Sequence, residues 1–129
     1  TGKGSRMPNP VNAQTGTLFP TGSQVAGTYT SADQQNLDRR GIKVVVDITA
    51  ITGSLTVTIQ GKDPVSGQYF TLLASAALGA VATTVMTIYP GLTAAANTVA
   101  NDVLPMTWRI SAVVATGPCT ATIAASLIV

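Results

Sequence analysis

The sequence predicts an all-β fold, an antiparallel β-sandwich of the jelly-roll or immunoglobulin-like kind with about six to eight strands. Two observations predict it: apolar and polar residues alternate in several segments, and turn residues separate these segments at short intervals. No alternation of helices with strands suggests a parallel sheet. The 129 residues favour one domain, with an extended N-terminal arm over residues 1–36 and the sandwich over residues 37–129.

The predicted arm is rich in Gly, Pro, Asn, Ser and Thr and sustains neither a helical nor a strand period, apart from a short first strand within residues 24–30. Isolated apolar residues punctuate it, which a purely solvating tail usually lacks. We therefore favour an arm that docks on a neighbouring subunit over a disordered tail. The residues predicted to dock, with two arginines that follow the arm, are Met7, Val11, Leu18, Phe19, Arg39 and Arg40.

The first half of the sandwich shows the period of two most clearly. Apolar residues alternate over residues 42–48 and again over residues 55–59, with a Thr-Gly-Ser turn between these segments. The sequence DPVSG at residues 63–67 predicts a hairpin loop, because Pro presets a turn, Asp bonds nearby backbone and Gly accepts positive φ. The returning strand, residues 69–73, is predicted to point Phe70 and Leu72 inward.

The second half predicts three further strands. Residues 73–82 are interpreted as a loop that leads into a strand over residues 83–89, and residues 92–101 as a loop with at most one helical turn. The strand predicted over residues 103–115 begins at an edge or a bulge, because proline at position 105 cannot donate to a ladder. Its predicted inward face is Met106, Trp108, Ile110 and Ala112. The last strand alternates over residues 121–127.

The low charge content indicates a protein that contacts other protein chains. Charged residues are 9% of the chain, against about 25% in a usual soluble domain, and the net charge is +2. A surface so poor in charge indicates that much of it meets other protein chains. The cations are scattered, apart from Arg39, Arg40 and Lys43, so we expect no nucleic-acid partner.

The residue types also argue against an enzyme. The chain has no His, no Glu and one Cys, which removes the usual general base, the Ser-His arrangements and a structural zinc site. No calcium-loop or phosphate-loop spacing is present. A pair of Asp63 and Asp102 could act as acid and base, but each is better explained by its turn. We predict no catalytic residue, no cofactor and no metal.

Two further side chains have competing interpretations. Asp47 lies in mid-strand, and we expect it on the polar face or paired with Lys43 or Arg109. Trp108, with the tyrosines, could form a sugar-binding platform, but its place beside Ile110 favours the core. The longest apolar stretches are too short to cross a membrane, and the N-terminus lacks the apolar core of a signal peptide, so we expect no membrane partner.

Three stretches carry a resemblance to a known family: TSADQQN leading to RRGIKVVVDITA, then LTVTIQGKDPVSGQYFTLLAS, then TVMTIYPGLTAAANTVANDVLPMTWRI. Together they cover most of residues 30–110 and resemble a family of small proteins encoded near the capsid genes of tailed bacteriophages. The resemblance implies a virion structural protein made in the host cytoplasm. It carries no motif of catalytic residues.

The resulting expectation is a homo-oligomer, favoured as a trimer because capsids offer three-fold positions, that binds the major capsid protein on the outer surface of the phage head. Such a decoration or cement protein stabilises the shell. Two alternatives stay open at this point: a tail, neck or baseplate component of the virion, and a carbohydrate-binding β-sandwich module.

Overall fold

A computed structural model describes residues 12–14 and 18–129. These residues form two sheets whose buried side chains share one core, which confirms the predicted all-β sandwich. Seven of the strands described are four residues or longer, and three are shorter. The strands are β1 (Asn12–Gln14), β2 (Gly27–Thr30), β3 (Gln34–Gln35), β4 (Gly41–Ile51), β5 (Ser54–Lys62), β6 (Tyr69–Ala74), β7 (Thr83–Ile88), β8 (Val99–Ala100), β9 (Thr107–Ala115) and β10 (Cys119–Ile128).

The strand order places several sequence neighbours, such as β4 and β5, in opposite sheets. The first sheet has the order β1-β10-β4-β7-β8, and only its β7–β8 pair is parallel among the described strands. The second sheet has the order β2-β9-β5-β6, with β3 also paired to β9. The chain therefore crosses between sheets from β4 to β5 and again from β9 to β10, and these four long strands face one another across the core.

The core follows from the alternation in those four strands. Along β4, β5, β9 and β10 every second residue is buried, so each strand turns one apolar face inward. Burial of β-branched side chains in such a face supplies most of the stabilising free energy of a sandwich. The largest fully buried side chains include Trp108, Ile42, Ile48, Leu55, Ile59, Met86, Ile88, Ile110 and Ile123.

The two turns that cross between the sheets pack against each other at one end of the sandwich. The backbone N–H of Thr52 donates to the carbonyl of Pro118 at 3.0 Å. Gly53 has φ +85°, and a Cβ there would run into the carbonyl oxygens of Ala115 and Thr116. Position 53 therefore requires glycine both for its backbone angle and for the close approach of the other turn.

In strand β6 the buried leucine differs from the predicted one. Register shifts between Ile59 and Gln60, because Leu72 is an extra residue opposite them, which is a β-bulge. Leu73 is consequently buried and Leu72 is only partly buried against the core. Phe70 lies opposite Gly61, on the face that Trp108 shares, so it points inward as predicted, although it is 45% exposed.

Strand β9 also begins later than the alternation predicted. It starts at Thr107, and Met106 is 66% exposed, so the prediction that Met106 shares the inward face is wrong. Pro105 precedes it and cannot donate to a ladder, which explains why pairing stops there. Trp108 is fully buried with Ile110 and Ala112, as the alternation predicted. Residues 92–101 form no helix; they hold one hydrogen-bonded turn, in which the N–H of Val99 donates to the carbonyl of Ala95 at 3.0 Å, and the short strand β8.

The described part of the predicted arm belongs to the sandwich itself. Leu18 is 7% exposed and Phe19 is 2% exposed, and both lie in the core of their own chain. Strands β2 and β3, which also fall before residue 37, pair with β9 in the second sheet. Leu18 and Phe19, which the sequence predicted to dock on a neighbouring subunit, are therefore packed in the core of this chain. Met7 and Val11 lie outside the described residues.

Candidate interaction surface

The two aspartates considered as an acid and base are each bound to their own turn. Asp63 accepts from the backbone N–H of Val65 at 2.9 Å and from the hydroxyl of Ser66 at 2.8 Å. These hydrogen bonds lower the pKa of the Asp63 carboxyl below its usual value, the one from Val65 most. Asp102 accepts from the backbone N–H of Val103 at 2.8 Å. Both carboxylates thus hold loops, as their turn sequences predicted.

A polar cluster lies on the outer face of the second sheet. It joins the segment before β3 to β5, β6 and β9: Asp33 binds Lys62 Nζ at 2.9 Å and accepts from the Tyr69 hydroxyl at 2.7 Å. The guanidinium of Arg109 stacks on the Tyr69 ring, 3.5 Å from its centroid, and Arg109 Nε donates to Gln60 at 2.8 Å. The register places Gln60 opposite Arg109 and Lys62 opposite Tyr69, so the cluster follows from strand pairing.

The charges in this cluster are satisfied by each other. The Tyr69 hydroxyl and then Lys62 lower the pKa of Asp33, and Asp33 raises the pKa of Lys62. A carboxylate with a lowered pKa stays ionised and does not act as a general acid near neutral pH. We interpret the cluster as structural, because it binds the segment around β3 to the sheet. Asp47 accepts from the Thr83 hydroxyl at 3.3 Å on neighbouring β7; neither predicted partner, Lys43 or Arg109, takes that role.

Trp108 and the tyrosines make contacts within the protein. Trp108 is fully buried, as the core interpretation predicted. Arg109 covers one face of the Tyr69 ring. The hydroxyls of Tyr29 and Tyr89 donate to backbone carbonyls of Val25 and Val129. These contacts remove the observation that favoured the carbohydrate-binding alternative.

Residues 12–14 and 18–129 were also searched for a metal-binding group and a membrane-spanning helix. Among them, no three His, Cys, Asp or Glu side chains come together where they could hold a metal ion. Within the same part of the chain, there is no helix with the length and hydropathy needed to cross a bilayer. Burial raises the pKa of the Cys119 thiol, which keeps it a weak nucleophile in the core.

One end of the sandwich holds apolar side chains in solvent on a well-anchored backbone. Asn36 is buried, and its side-chain amide donates to the carbonyls of Arg39 at 2.8 Å and Leu104 at 3.0 Å. Its Oδ1 accepts from the N–H of Arg39 at 2.9 Å. The backbone of Leu104 then donates to the carbonyl of Arg40 at 2.9 Å. Asn36 thereby fixes the segment before β4 to the segment before β9.

These two segments carry the surface that we call the end patch: Leu37, Arg40, Val103 and Met106. Leu37 is 81% exposed, Met106 66% and Val103 54%, and Arg40, on the same segment as Leu37, is also exposed. Apolar side chains presented together on a fixed backbone are typical of surfaces that bind another protein. The end patch is the candidate interaction surface.

Of the two arginines predicted to dock, only Arg40 is at the surface. The Arg39 side chain is 8% exposed and pairs with Asp38 at 2.9 Å, so it belongs to the scaffold beneath the end patch. Leu37, Val103 and Met106 were not among the predicted docking residues. Pro105 was the sequence signal for the exposure of Met106, because a proline cannot donate to the ladder and β9 begins only after Met106. Leu37 lies between polar residues, and no local pattern distinguishes it from a buried leucine.

Comparison with known proteins gives no assignment. No family model, no curated protein and no solved structure matches this chain. The fold and the end patch define a non-repetitive β-sandwich with a candidate protein-binding surface. The resemblance to tailed-phage proteins therefore stays a prediction from the three sequence stretches.

Proposed function

We propose that this protein is a structural component of a tailed-phage virion that binds the outer head shell as a decoration or cement protein. The observation that carries the proposal is the end patch, where apolar side chains are held in solvent on a chain with only 9% charged residues. The resemblance to proteins encoded near capsid genes supplies the context. The proposed partner is the major capsid protein, and the proposed assembly is a homo-oligomer, with a trimer favoured.

The proposal is also supported by the polar side chains, which are engaged with one another or with their own turns. The polar cluster is occupied by its own hydrogen bonds and ion pair, and Asp63 and Asp102 hold turns. The end patch combines apolar contact area with the cation Arg40, a composition that favours a protein surface bearing an apolar pocket and an acidic residue. Added contacts of this kind join adjacent capsid subunits and so raise the stability of the shell.

Sedimentation with purified heads and purified tails of the phage that encodes the chain tests the proposal. We expect saturable binding to heads at hundreds of copies per particle, and heads with bound protein should resist heat or chelation better than bare heads. A tail, neck or baseplate component would instead bind tails, at small multiples of six. Absence of binding to either particle would refute a virion role.

A further inference from the structure

The N-terminal residues described by the structure run along the open edge of β10. Strand β1 pairs antiparallel with β10, with Gln14 opposite Ser126. Further on, the backbone N–H of Leu18 donates to the carbonyl of Ile123 at 2.7 Å. We call residues 12–14, 18 and 19 the strap. By pairing with β10, the strap covers an edge that would otherwise invite another strand.

The strap also closes the core between the two sheets. Leu18 and Phe19 are buried, and the Phe19 ring meets the Tyr29 ring edge to face at 5.4 Å between centroids. Tyr29 belongs to β2, so Phe19 connects the β10 edge of one sheet with the β2 edge of the other. A sandwich without these two side chains would expose an apolar opening along this side.

The connection from the strap to the rest of the chain is loosely held. Pro20, Thr21, Gly22 and Ser23 are all exposed. The Gln24 side-chain amide donates to the backbone carbonyls of Thr21 at 3.0 Å and Gly22 at 3.4 Å. Gly22 has φ +91° and open space around its Cα. Beyond it, Gln24 is anchored by two backbone hydrogen bonds to Cys119, both 2.8 Å.

We infer that the strap is exchanged between copies of this chain, so that the strap of one copy lies on β10 of the next. Residues 20–23 are the hinge, and Gln24 stays on its own β10. Because the exchanged strap makes the same strand pairing and fills the same opening, exchange keeps every contact and changes only the path of the hinge. A surface poor in charge does little to keep the copies apart.

The inference deepens the homo-oligomer part of the proposed function and rests on it. It names the partner as a second copy and the contact as strand addition along β10, with Leu18 and Phe19 as the anchors. A head-to-tail series of such exchanges closes into a ring if the rotation between copies permits, as a trimer requires. None of the four end-patch residues belongs to the strap or is one of its partners on β10.

Single cysteines in separate copies test the exchange. Two tagged versions of the full chain, one with Gln14→Cys and one with Ser126→Cys, are co-expressed in a Cys119→Ala background and mildly oxidised. Antiparallel partners lie close enough for a disulfide to form between such positions. The matched control replaces Ser126→Cys with Thr122→Cys, which lies on the same face of β10, four residues from the register partner.

Exchange predicts a covalent dimer between the two tagged chains, about 100-fold above the control, because paired thiols face each other at an effective concentration in the millimolar range. A chain with both Gln14→Cys and Ser126→Cys should form linked multimers. Closure of that double variant within single chains, or no linkage in any variant, overturns the exchange. Light scattering separates the outcomes: a monomer refutes the homo-oligomer as well, whereas an unlinked oligomer refutes the exchange alone.

Discussion

The strap and the end patch are both irregular segments with apolar side chains, yet the fold treats them in opposite ways. Leu18 and Phe19 in the strap are 7% and 2% exposed, whereas Leu37 and Met106 in the end patch are 81% and 66% exposed. Backbone hydrogen bonds hold both segments on the sandwich. The strap therefore contributes its apolar area to the core, while the end patch keeps its area in water.

This difference indicates that the strap contributes to stability and that the end patch is available for binding. Apolar area that is already buried contributes to the free energy of unfolding, and removing it leaves a cavity. Apolar area that is exposed contributes nothing to folding but is available to a partner. Substitutions in the two segments should consequently separate stability from binding.

The largest effect is expected in the strap. Phe19→Ala removes a buried ring from the junction of the two sheets and should lower the free energy of unfolding by about 3 kcal/mol. Urea unfolding followed by Trp108 fluorescence measures it. Val65→Ala, at the 94% exposed tip of the β5–β6 loop, is the control and should stay within about 0.5 kcal/mol. An equally small change for Phe19→Ala would mean that the strap does not complete the core.

The next effect is expected beneath the end patch. Asn36→Ala leaves the buried carbonyl of Leu104 without its amide donor and should destabilise the protein by about 2 kcal/mol. Hydrogen exchange should speed up in residues 36–40 and 103–106 before it does in β4 or β10. A rate of hydrogen exchange that rises evenly over the whole chain would contradict the role of Asn36 as a local anchor.

Substitutions on the end patch itself should hardly affect folding. Leu37→Asp and Met106→Asp place a charge where the side chain is already in water, so the free energy of unfolding should change by less than about 0.5 kcal/mol. The midpoint of urea unfolding, compared with that of wild type, provides the measurement. A loss near that of Phe19→Ala would show that the end patch is packed and not exposed.

The smallest effect concerns the polar cluster and depends on pH. The pKa of Asp33 is lower in the folded chain than in the unfolded chain, so its contribution to stability is present above the unfolded value of about 3.9 and is lost as the pH falls through the folded pKa. The difference in stability between wild type and Asp33→Asn should be constant above about pH 5 and shrink in stronger acid. A difference that grows on acidification would reverse the sign of this linkage.

The long strands could be predicted from sequence because their burial repeats every two residues. β4, β5, β9 and β10 all show that alternation, and the DPVSG loop forms as its turn residues indicate. The errors fall where one residue breaks the period. The bulge at Leu72 shifts the face of β6, and Pro105 delays the start of β9 until after Met106.

The candidate surfaces could be predicted only in part, since they depend on contacts between distant residues. Asp33 and Tyr69 are 36 positions apart, and Asn36 and Leu104 are 68 positions apart, so no local sequence pattern predicts either hydrogen bond. The apolar anchors of the N-terminal segment were identified from sequence, but not the core in which Leu18 and Phe19 lie. Periodicity indicates that a side chain is apolar, and tertiary packing decides whether it is covered.

Binding of end-patch variants to purified phage heads tests the central claim most directly. The double variant Leu37→Asp with Met106→Asp should bind heads at least about 30-fold more weakly than wild type, the size of a hot-spot loss near 2 kcal/mol. Val65→Asp, which adds the same charge at an exposed valine outside the end patch, should bind as wild type does. Equal binding by the double variant and wild type would contradict the assignment of the end patch as the surface that meets the head.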